Sequence, residues 1–201
     1  MSESEGLHLD ILSYRWNLPH WHPEGKILFV TWRLAGSLPA EFIRESRCNA
    51  EIRTFRSVDA ALDRAESGPL WLKDHRIASY VVDSLQHGEA VFDEYRLHAY
   101  VVMPNHVHVL LEPHTNLRRI TQGIKGTTSR RANAILQRTG QPFWQDESFD
   151  RWMRDEDEFL RVRRYIVQNP VAAGLVKVPE DWRWSSARDL AKHAEPSGTA
   201  S

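Results

Sequence analysis

Two apolar runs joined by the dipeptide Pro104-Asn105 constrain the fold more than any other feature of this chain. The runs extend over 97–103 and 106–111 and are rich in branched and aromatic residues, as strands are. Because parallel neighbours need a crossover of a dozen or more residues, strands joined by so short a break pair antiparallel. Helical patterns occur on both sides of this pair, so the sequence predicts an α+β fold with a largely antiparallel sheet.

The other elements follow from hydrophobic spacing and turn residues. Branched and aromatic residues after Lys26 stop at Gly36, which indicates a strand, and apolar residues four apart indicate helices. We expect the last long helix to end at Asn169-Pro170, because the residue before a proline is pushed out of the helical region. The predicted strands lie at 26–35 and 148–153, and the predicted helices lie within 39–67 and at 72–88, 117–136 and 156–168.

Composition and charge exclude several classes of protein. The chain has 201 residues, which is about one domain at roughly 150 residues per domain. Lys and Arg number 26 against 27 Asp and Glu, so the whole-chain charge gives no sign of a nucleic-acid or membrane partner. No run approaches the roughly 18 apolar residues of a membrane helix, and the N-terminus does not have the pattern of a signal peptide. A single cysteine, Cys48, excludes an intramolecular disulfide and favours a cytoplasmic location.

A histidine pair begins the second of the two central strands. His106 and His108 are separated by one residue, and alternate residues of a strand project from the same face. Two imidazoles are therefore presented to one place, where they can bind one divalent metal ion and leave positions for a third ligand and a substrate oxygen. The alternative is a pair of surface histidines on a half-exposed strand, and His20-Trp21-His22 has the same spacing without a strand context.

A phenol and an amide lie four residues apart in the last predicted long helix. Tyr165 and Asn169 therefore share one helical face, beside the apolar stripe that would pack on the sheet. A tyrosine hydroxyl, with an ordinary pKa of about 10, needs a base or a cationic environment to act as a nucleophile. An amide oxygen can bind a hard metal ion. The alternative is that Tyr165 is a packed aromatic residue with its hydroxyl at the surface.

A local block of positive charge lies between the histidine pair and the tyrosine. Residues 117–145 contain no acidic residue, and Gly123 and Gly126 in this block would allow a sugar-phosphate backbone to approach closely. Such asymmetry is typical of phosphate binding, although a solvated helix face is the alternative. Trp144, after this block, could stack on unpaired bases or belong to the core. The basic residues are Arg118, Arg119, Lys125, Arg130, Arg131 and Arg138.

These separated motifs together resemble a known family. The phrase MPNHVHVLL (103–111) is similar to the HUH motif, in which two histidines flank a bulky apolar residue. YIVQNPVAAGLV (165–176), followed by DWRWSSA (181–187), is similar to the tyrosine-bearing end of single-tyrosine HUH transposases of the IS200-like type. The resemblance is strongest to REP-associated tyrosine transposases (RAYTs) and extends from about Pro19 to Ala187.

The resemblance implies a fold and a site. The fold would be a ferredoxin-like sheet with the histidines on a central strand and the tyrosine on a facing helix. The domain would occupy 26–187, between an N-terminal arm (1–25) and a flexible tail (188–201), with an insertion at about 44–67. A divalent ion, Mg²⁺ or Mn²⁺, would be held by His106, His108 and an amide. We prefer Asn169, about 40° around the helix from Tyr165, as that amide, although Gln168 lies only about 60° from Tyr165 in the opposite direction and could also reach.

The resemblance also implies an activity on DNA. Tyr165 would cleave single-stranded DNA at hairpin-forming palindromic repeats by transesterification, in a protein acting as a monomer or homodimer without a membrane partner. Two alternatives remain, namely a catalytically inactive DNA- or RNA-binding module and a metal-dependent phosphoesterase that uses water.

Overall fold

The computed structural model describes residues 25–38, 61–64 and 68–194. Its strands are β1 (Leu28–Arg33), β2 (Tyr95–Val102), β3 (His106–Pro113) and β4 (Phe149–Trp152). Its helices are α1 (His75–Ala90), α2 (Leu117–Ile135), α3 (Glu156–Ala172) and α4 (Ala187–Ala194). Residues 61–64 are also helical, and single 3₁₀ turns occur at Trp71–Lys73 and Pro179–Asp181.

The strands form one sheet in the order β2-β3-β1-β4, and each neighbouring pair is antiparallel. The break at Pro104-Asn105 closes with a hydrogen bond of 2.9 Å from the Met103 amide to the His106 carbonyl. This tight connection leaves β3 beside β2, while β1 pairs with the other edge of β3. The predicted α+β fold with an antiparallel sheet is confirmed.

The two faces of the sheet carry separate apolar clusters. Val30, Trp32, Val107 and Val109 project toward α1 and α2 on one face. Phe29, Val101 and Leu110 project toward α3 and α4 on the other. We call the face covered by α3 and α4 the α3 face and the opposite one the α1/α2 face. Because strand side chains alternate, His106 and His108 project from the α3 face.

The segment after α3 covers the outer edge of β2. The Val102 amide donates to the Trp184 carbonyl at 2.8 Å, and the Ser186 amide donates to the Tyr100 carbonyl at 3.0 Å. The DWRWSSA motif therefore occupies an edge that would otherwise present unpaired backbone groups.

Two sequence predictions differ from the structure. The helix expected to end at Asn169-Pro170 continues to Ala172, with Pro170 in its last turn. A proline there loses only its own hydrogen bond to the carbonyl four residues earlier, and Pro170 is itself buried. Residues 188–194, predicted as part of the flexible tail, are helical in α4, and Leu190 packs against the cluster on the α3 face.

Some predictions concern residues that the structure does not describe. Residues 1–24, 39–60, 65–67 and 195–201 lie outside the described ranges, and with them most of the arm, the insertion and the end of the tail. Residues 61–64 are helical, as the pattern predicts for that stretch. Among the described residues, no helix is both long enough and apolar enough to cross a membrane.

Candidate active site

β3 brings the two histidines together in the interior of the protein. His106 and His108 are both completely buried, and their Nε2 atoms lie 3.0 Å apart. Val107 and Val109 fill the core on the opposite face of the strand. The two histidines are therefore not on the surface, as the alternative had it. Their imidazoles converge, as predicted.

A chain of hydrogen bonds fixes both rings. The Asn105 side-chain nitrogen donates to the Leu62 carbonyl at 2.8 Å, so its oxygen faces the His106 Nδ1 atom, 2.7 Å away. Nδ1 of His106 must therefore carry the proton, and its Nε2 atom has a lone pair. On the other side, the His108 Nδ1 atom lies 2.7 Å from the Thr31 hydroxyl oxygen. Such outer contacts orient imidazoles that bind metal ions.

The start of α3 is tied to β4. Asp155 caps the helix by accepting a hydrogen bond of 2.7 Å from the Glu158 amide, and acidic residues in the first turn suit the helix dipole. The buried Glu158 carboxylate pairs with the Arg151 guanidinium of β4 and accepts from the Arg154 backbone amide at 2.9 Å. These contacts fix the direction in which α3 crosses the sheet.

α3 carries Tyr165 to the histidine pair. The Tyr165 ring lies 5.7 Å from the His108 ring between centroids and packs edge-on against Phe29 at 6.2 Å. Tyr165 is only partly buried, in contrast to the histidines. The Tyr165 ring contacts the core, and its side chain still reaches solvent. The packing of Tyr165 therefore does not exclude a role as a nucleophile.

One turn after Tyr165, Asn169 has a buried amide. Asn169 is 2% exposed, and neither its nitrogen nor its oxygen has a hydrogen-bond partner within the described residues. A buried amide without partners costs about 1–3 kcal/mol, so a ligand for it is expected. Gln168, by contrast, is exposed to solvent. The continuation of α3 through Pro170 keeps Asn169 in helical register with Tyr165.

These residues fit a divalent ion. Two ligands that each lie about 2.1 Å from one ion and meet it at right angles are about 3.0 Å apart. The Nε2 atoms of His106 and His108 have this separation, and the Asn169 amide offers an oxygen donor. In the described part of the chain, no three side chains of the His, Cys, Asp or Glu type form a group able to hold a metal ion.

Two charged residues near the histidines were not predicted from the sequence. The Asp63 Oδ1 atom lies 3.8 Å from the His106 Nε2 atom, and Arg33 is paired with His106 across the sheet. Asp63 is 43 positions from His106 in sequence, since 106 − 63 = 43, and no spacing rule connects residues so far apart. Arg33 was recognisable only as a strand residue, because its face depends on the strand register.

The exposed basic residues of α2 lie on the other side of the sheet. Arg118, Arg119 and Arg130 are exposed to solvent on this helix, which packs against the α1/α2 face. Arg119 is 3.7 Å from a carboxylate oxygen of Glu94, and Arg131 lies over the Tyr80 ring. The structure therefore does not bring these predicted DNA contacts into the histidine and tyrosine site.

Three other predicted DNA contacts are engaged within the protein. The Lys125 ammonium donates to the Asp146 carbonyl at 2.8 Å and the Ser148 hydroxyl at 3.2 Å. Burial lowers the pKa of Lys125 to about 8. The Arg138 guanidinium lies 3.7 Å above the Trp71 ring. Trp144 is buried and donates from its indole nitrogen to the Thr128 hydroxyl at 2.8 Å, so the core alternative describes it and its ring is not available to stack on a base.

Comparison with known proteins agrees with this architecture. A relative from Haemophilus influenzae, named only as an uncharacterized protein, is 27% identical over 117 residues, which is 47% of this chain and 65% of that protein. The chain thus spans somewhat less than two thirds of the relative's length. The structure of the REP-associated tyrosine transposase bound to a REP hairpin matches 93% of this chain and 92% of its own, with a TM-score of 0.58 and 18% identity. At that identity the likeness concerns the fold.

The family model described as "Transposase IS200 like" matches residues 76–169. This range starts in α1, contains His106 and His108, and ends at Asn169, so it includes both halves of the site described above. Residues 76–169 are therefore similar to the IS200-like transposase family, as the motifs of the chain predict.

Proposed function

We propose that this protein is a metal-dependent DNA strand transferase that cleaves and rejoins single-stranded DNA through a 5′-phosphotyrosine intermediate. The observation that carries the proposal is the approach of Tyr165, from α3, to the buried histidine pair of β3, with ring centroids 5.7 Å apart. A nucleophile held beside a group of metal-binding side chains is the arrangement expected for phosphoryl transfer.

His106, His108 and Asn169 would hold the divalent ion, with Mg²⁺ or Mn²⁺ as the proposed metals. A bound divalent ion would withdraw charge from a phosphate oxygen and make the phosphorus easier to attack. The Asn169 amide, which has no hydrogen-bond partner among the described residues, and the Nε2 atoms 3.0 Å apart support this donor set. The Asp63 carboxylate, near His106, adds negative charge that favours a cation at this point.

Tyr165 would attack the phosphorus through its Oη atom. A bond forms between Oη and phosphorus, the bond from phosphorus to the 3′ oxygen breaks, and that oxygen leaves as a 3′-hydroxyl after taking up a proton. The proton lost by the phenol balances this uptake. Attack by another 3′-hydroxyl on the phosphotyrosine reverses the step and joins two strands without ATP, because one ester has replaced another.

Hairpin-forming palindromic repeats are the proposed substrate. The similar structure is described as bound to a REP hairpin, and its likeness to this chain extends over most of both proteins. We therefore infer that a hairpin positions the single strand for Tyr165, and that the chain belongs to the RAYT branch of the family.

A denaturing gel tests the proposal. Labelled hairpin oligonucleotides, taken from inverted repeats beside the coding region, are incubated with the wild-type protein, with Tyr165→Phe, and with the control Tyr80→Phe from the opposite face. We expect a covalent adduct from wild type and Tyr80→Phe in Mg²⁺ or Mn²⁺, and none from Tyr165→Phe or in excess chelator. Cleavage without an adduct would indicate a hydrolase that uses water, and a mobility shift without cleavage would indicate a binding module.

A further inference from the structure

A buried arginine lies next to the histidine pair on the α3 face. In the pairing of β1 with β3, Thr31 is opposite His108 and Arg33 is opposite His106. Directly opposed residues project from the same face with their Cβ atoms about 4.5–5.5 Å apart. The next pair on this face, two residues along each strand, is Thr31 and His108, and the 2.7 Å contact between their side chains agrees with this geometry. Arg33 is therefore the cross-strand neighbour of His106.

The Arg33 guanidinium has N–H donors that make no hydrogen bond to the described residues. Its five N–H groups make one hydrogen bond with the described residues, a long one of 3.4 Å from Nη1 to the Ser37 hydroxyl. No carboxylate of the described residues pairs with it within 4 Å, although Arg33 is only 7% exposed. Glu147 attracts it from a greater distance, and the Glu147 carboxylate itself accepts from Gln145 at 3.2 Å.

A buried cation without a paired carboxylate is uncommon, because removal of its charge from water is costly. Burial indeed lowers the pKa of Arg33, and Glu147 only partly opposes this effect. Lys125, whose pKa is lowered in part by Arg33, adds a second positive charge to this corner of the protein. An ion at the histidines would add two positive charges beside Arg33, more than the single negative charge of Asp63, 3.8 Å from the His106 Nε2 atom, neutralises, so a further anion is favoured there.

A phosphodiester has the chemistry that this arrangement lacks. It carries one negative charge shared by two non-bridging oxygens, so one oxygen can face the histidine site while the other accepts hydrogen bonds from a guanidinium. Arginine matches the geometry of phosphate better than lysine, since its donors form a planar fork. The neighbouring position of Arg33 and His106 on one face allows a single diester to meet both.

We propose that Arg33 binds a non-bridging oxygen of the phosphodiester that Tyr165 attacks, and that Arg33 and the histidine site together form a diester-binding subsite. The inference rests on the proposed function for the identity of that diester. Arg33 would orient the phosphorus toward Tyr165 and would stabilise the negative charge that grows on the oxygens during attack.

Arginine side-chain NMR tests the subsite with dimethyl phosphate, the simplest anionic phosphodiester, as the probe. We expect the Nε–H resonance of Arg33 to shift in a saturable way as dimethyl phosphate is added, and to saturate at lower probe concentration when Mg²⁺ is present. Arg151 is the matched control, since it lies on β4 and its guanidinium is already paired with Glu158. Neutral trimethyl phosphate, of similar shape, is expected to shift neither resonance.

The inference is overturned if Arg33 does not respond, if Arg151 shifts equally, or if trimethyl phosphate has the same effect. The titration needs neither cleavage nor the Tyr165 hydroxyl, so it is repeated with Tyr165→Phe. An Arg33 response in a protein that forms no DNA adduct contradicts the proposed function alone. Adduct formation in a protein whose Arg33 does not respond contradicts this inference alone.

Variants supply a second, kinetic test. Arg33→Gln is expected to slow adduct formation by about 100-fold, the usual loss when one donor to a reacting oxyanion is removed, and Arg33→Lys by less. Mn²⁺ affinity, followed by electron paramagnetic resonance, should not fall in either variant, because Arg33 is not a ligand. A rate loss that is matched by a loss of Mn²⁺ affinity would mean that Arg33 only supports the fold of the histidine site. The NMR titration on the wild type remains decisive if Arg33→Gln does not fold.

Discussion

Asn169 and Gln168 are adjacent in α3, yet their amides have different surroundings. Asn169 is buried with no hydrogen-bond partner in the described part of the chain, whereas Gln168 is exposed. We predict that Asn169→Ala lowers Mn²⁺ affinity at least tenfold, because removal of even an outer contact of a metal site costs about 10–100-fold. Gln168→Ala should leave the affinity unchanged. Titrations followed by electron paramagnetic resonance measure both affinities. A larger loss of affinity in Gln168→Ala than in Asn169→Ala would mean that Gln168, and not Asn169, is the ligand.

Because of Lys125, the stability of the protein should depend on pH in the alkaline range. Its pKa is lowered by burial to about 8 from 10.5, so the unfolded chain binds more protons than the folded one between these values. The free energy of unfolding should therefore rise from pH 8 to pH 10.5, by up to about 3 kcal/mol from this group. Below pH 8 the buried charge is destabilising and constant.

Urea unfolding at a series of pH values measures this contribution as the difference between wild type and Lys125→Met. The difference removes the effects of other groups, such as Tyr95, whose pKa is raised by burial and which titrates similarly in both proteins. A wild-type curve parallel to that of the variant from pH 8 to 10.5 would mean that the Lys125 ammonium is not destabilised by burial.

Sequence reasoning at this scale identified residues whose proximity follows from local spacing. The alternation of a strand placed His106 beside His108, and helical periodicity placed Tyr165 beside Asn169. Arg33 and Asp63 follow no such rule. Their closeness to His106 depends on which strand pairs with β3, and in which register, and on how residues 61–64 dock through the Leu62 carbonyl.

At the scale of elements, α1 contacts β2 through a glycine. A Cβ atom on Gly88 would overlap the hydroxyl end of Tyr95, whose hydroxyl donates to the Leu85 carbonyl at 2.7 Å. Gly88→Ala should therefore destabilise the protein by about 1–3 kcal/mol, the usual cost of overpacking a core. Chemical denaturation measures this loss.

Gly123→Ala and Gly126→Ala are the matched controls, because a Cβ atom at either position has open space around it. Both should stabilise α2, by about 0.5–1 kcal/mol each, since alanine is the better helix former. Equal effects in all three variants would show that the contact with Tyr95 is not what requires Gly88. A loss of DNA affinity in the controls, with stability raised, would support close approach of a phosphate backbone to α2.

The extent of most elements was predictable, and the end of α3 was not. Turn residues and periodicity indicated β2, β3 and α2 because these features act over a few residues. The rule that a proline ends a helix failed at Pro170, where burial of the residue outweighs one lost hydrogen bond. Local preference is weak where tertiary burial opposes it, and burial is not visible in sequence.

At the scale of the whole molecule, the exposed basic residues of α2 form a surface apart from the candidate active site. We predict that the triple variant with Arg118, Arg119 and Arg130 changed to Gln binds hairpins more weakly, whatever their sequence. The slope of log affinity against log salt should flatten by about 2–3, since each phosphate contact contributes about 0.7–0.9. Fluorescence anisotropy over a range of salt concentrations measures this slope.

The same triple variant with Lys at each position keeps the charge and is the matched control, whose salt slope should stay close to that of the wild type. If the Gln variant keeps the wild-type slope, these residues form a solvated face and hairpins bind elsewhere. If it loses affinity for one sequence only, α2 reads bases instead of phosphates.

The sheet separates this basic surface from Tyr165, and the separation sets a length for DNA. Packed layers of secondary structure lie about 10 Å apart, so α2 and α3 on opposite sides of the sheet are about 20 Å apart. Stacked nucleotides advance about 3.4 Å each along a strand. A DNA molecule that contacts both surfaces must pass around a sheet edge, so at least about six nucleotides have to separate the phosphates held by α2 from the one that is cut. Shortening that spacer should uncouple binding from cleavage.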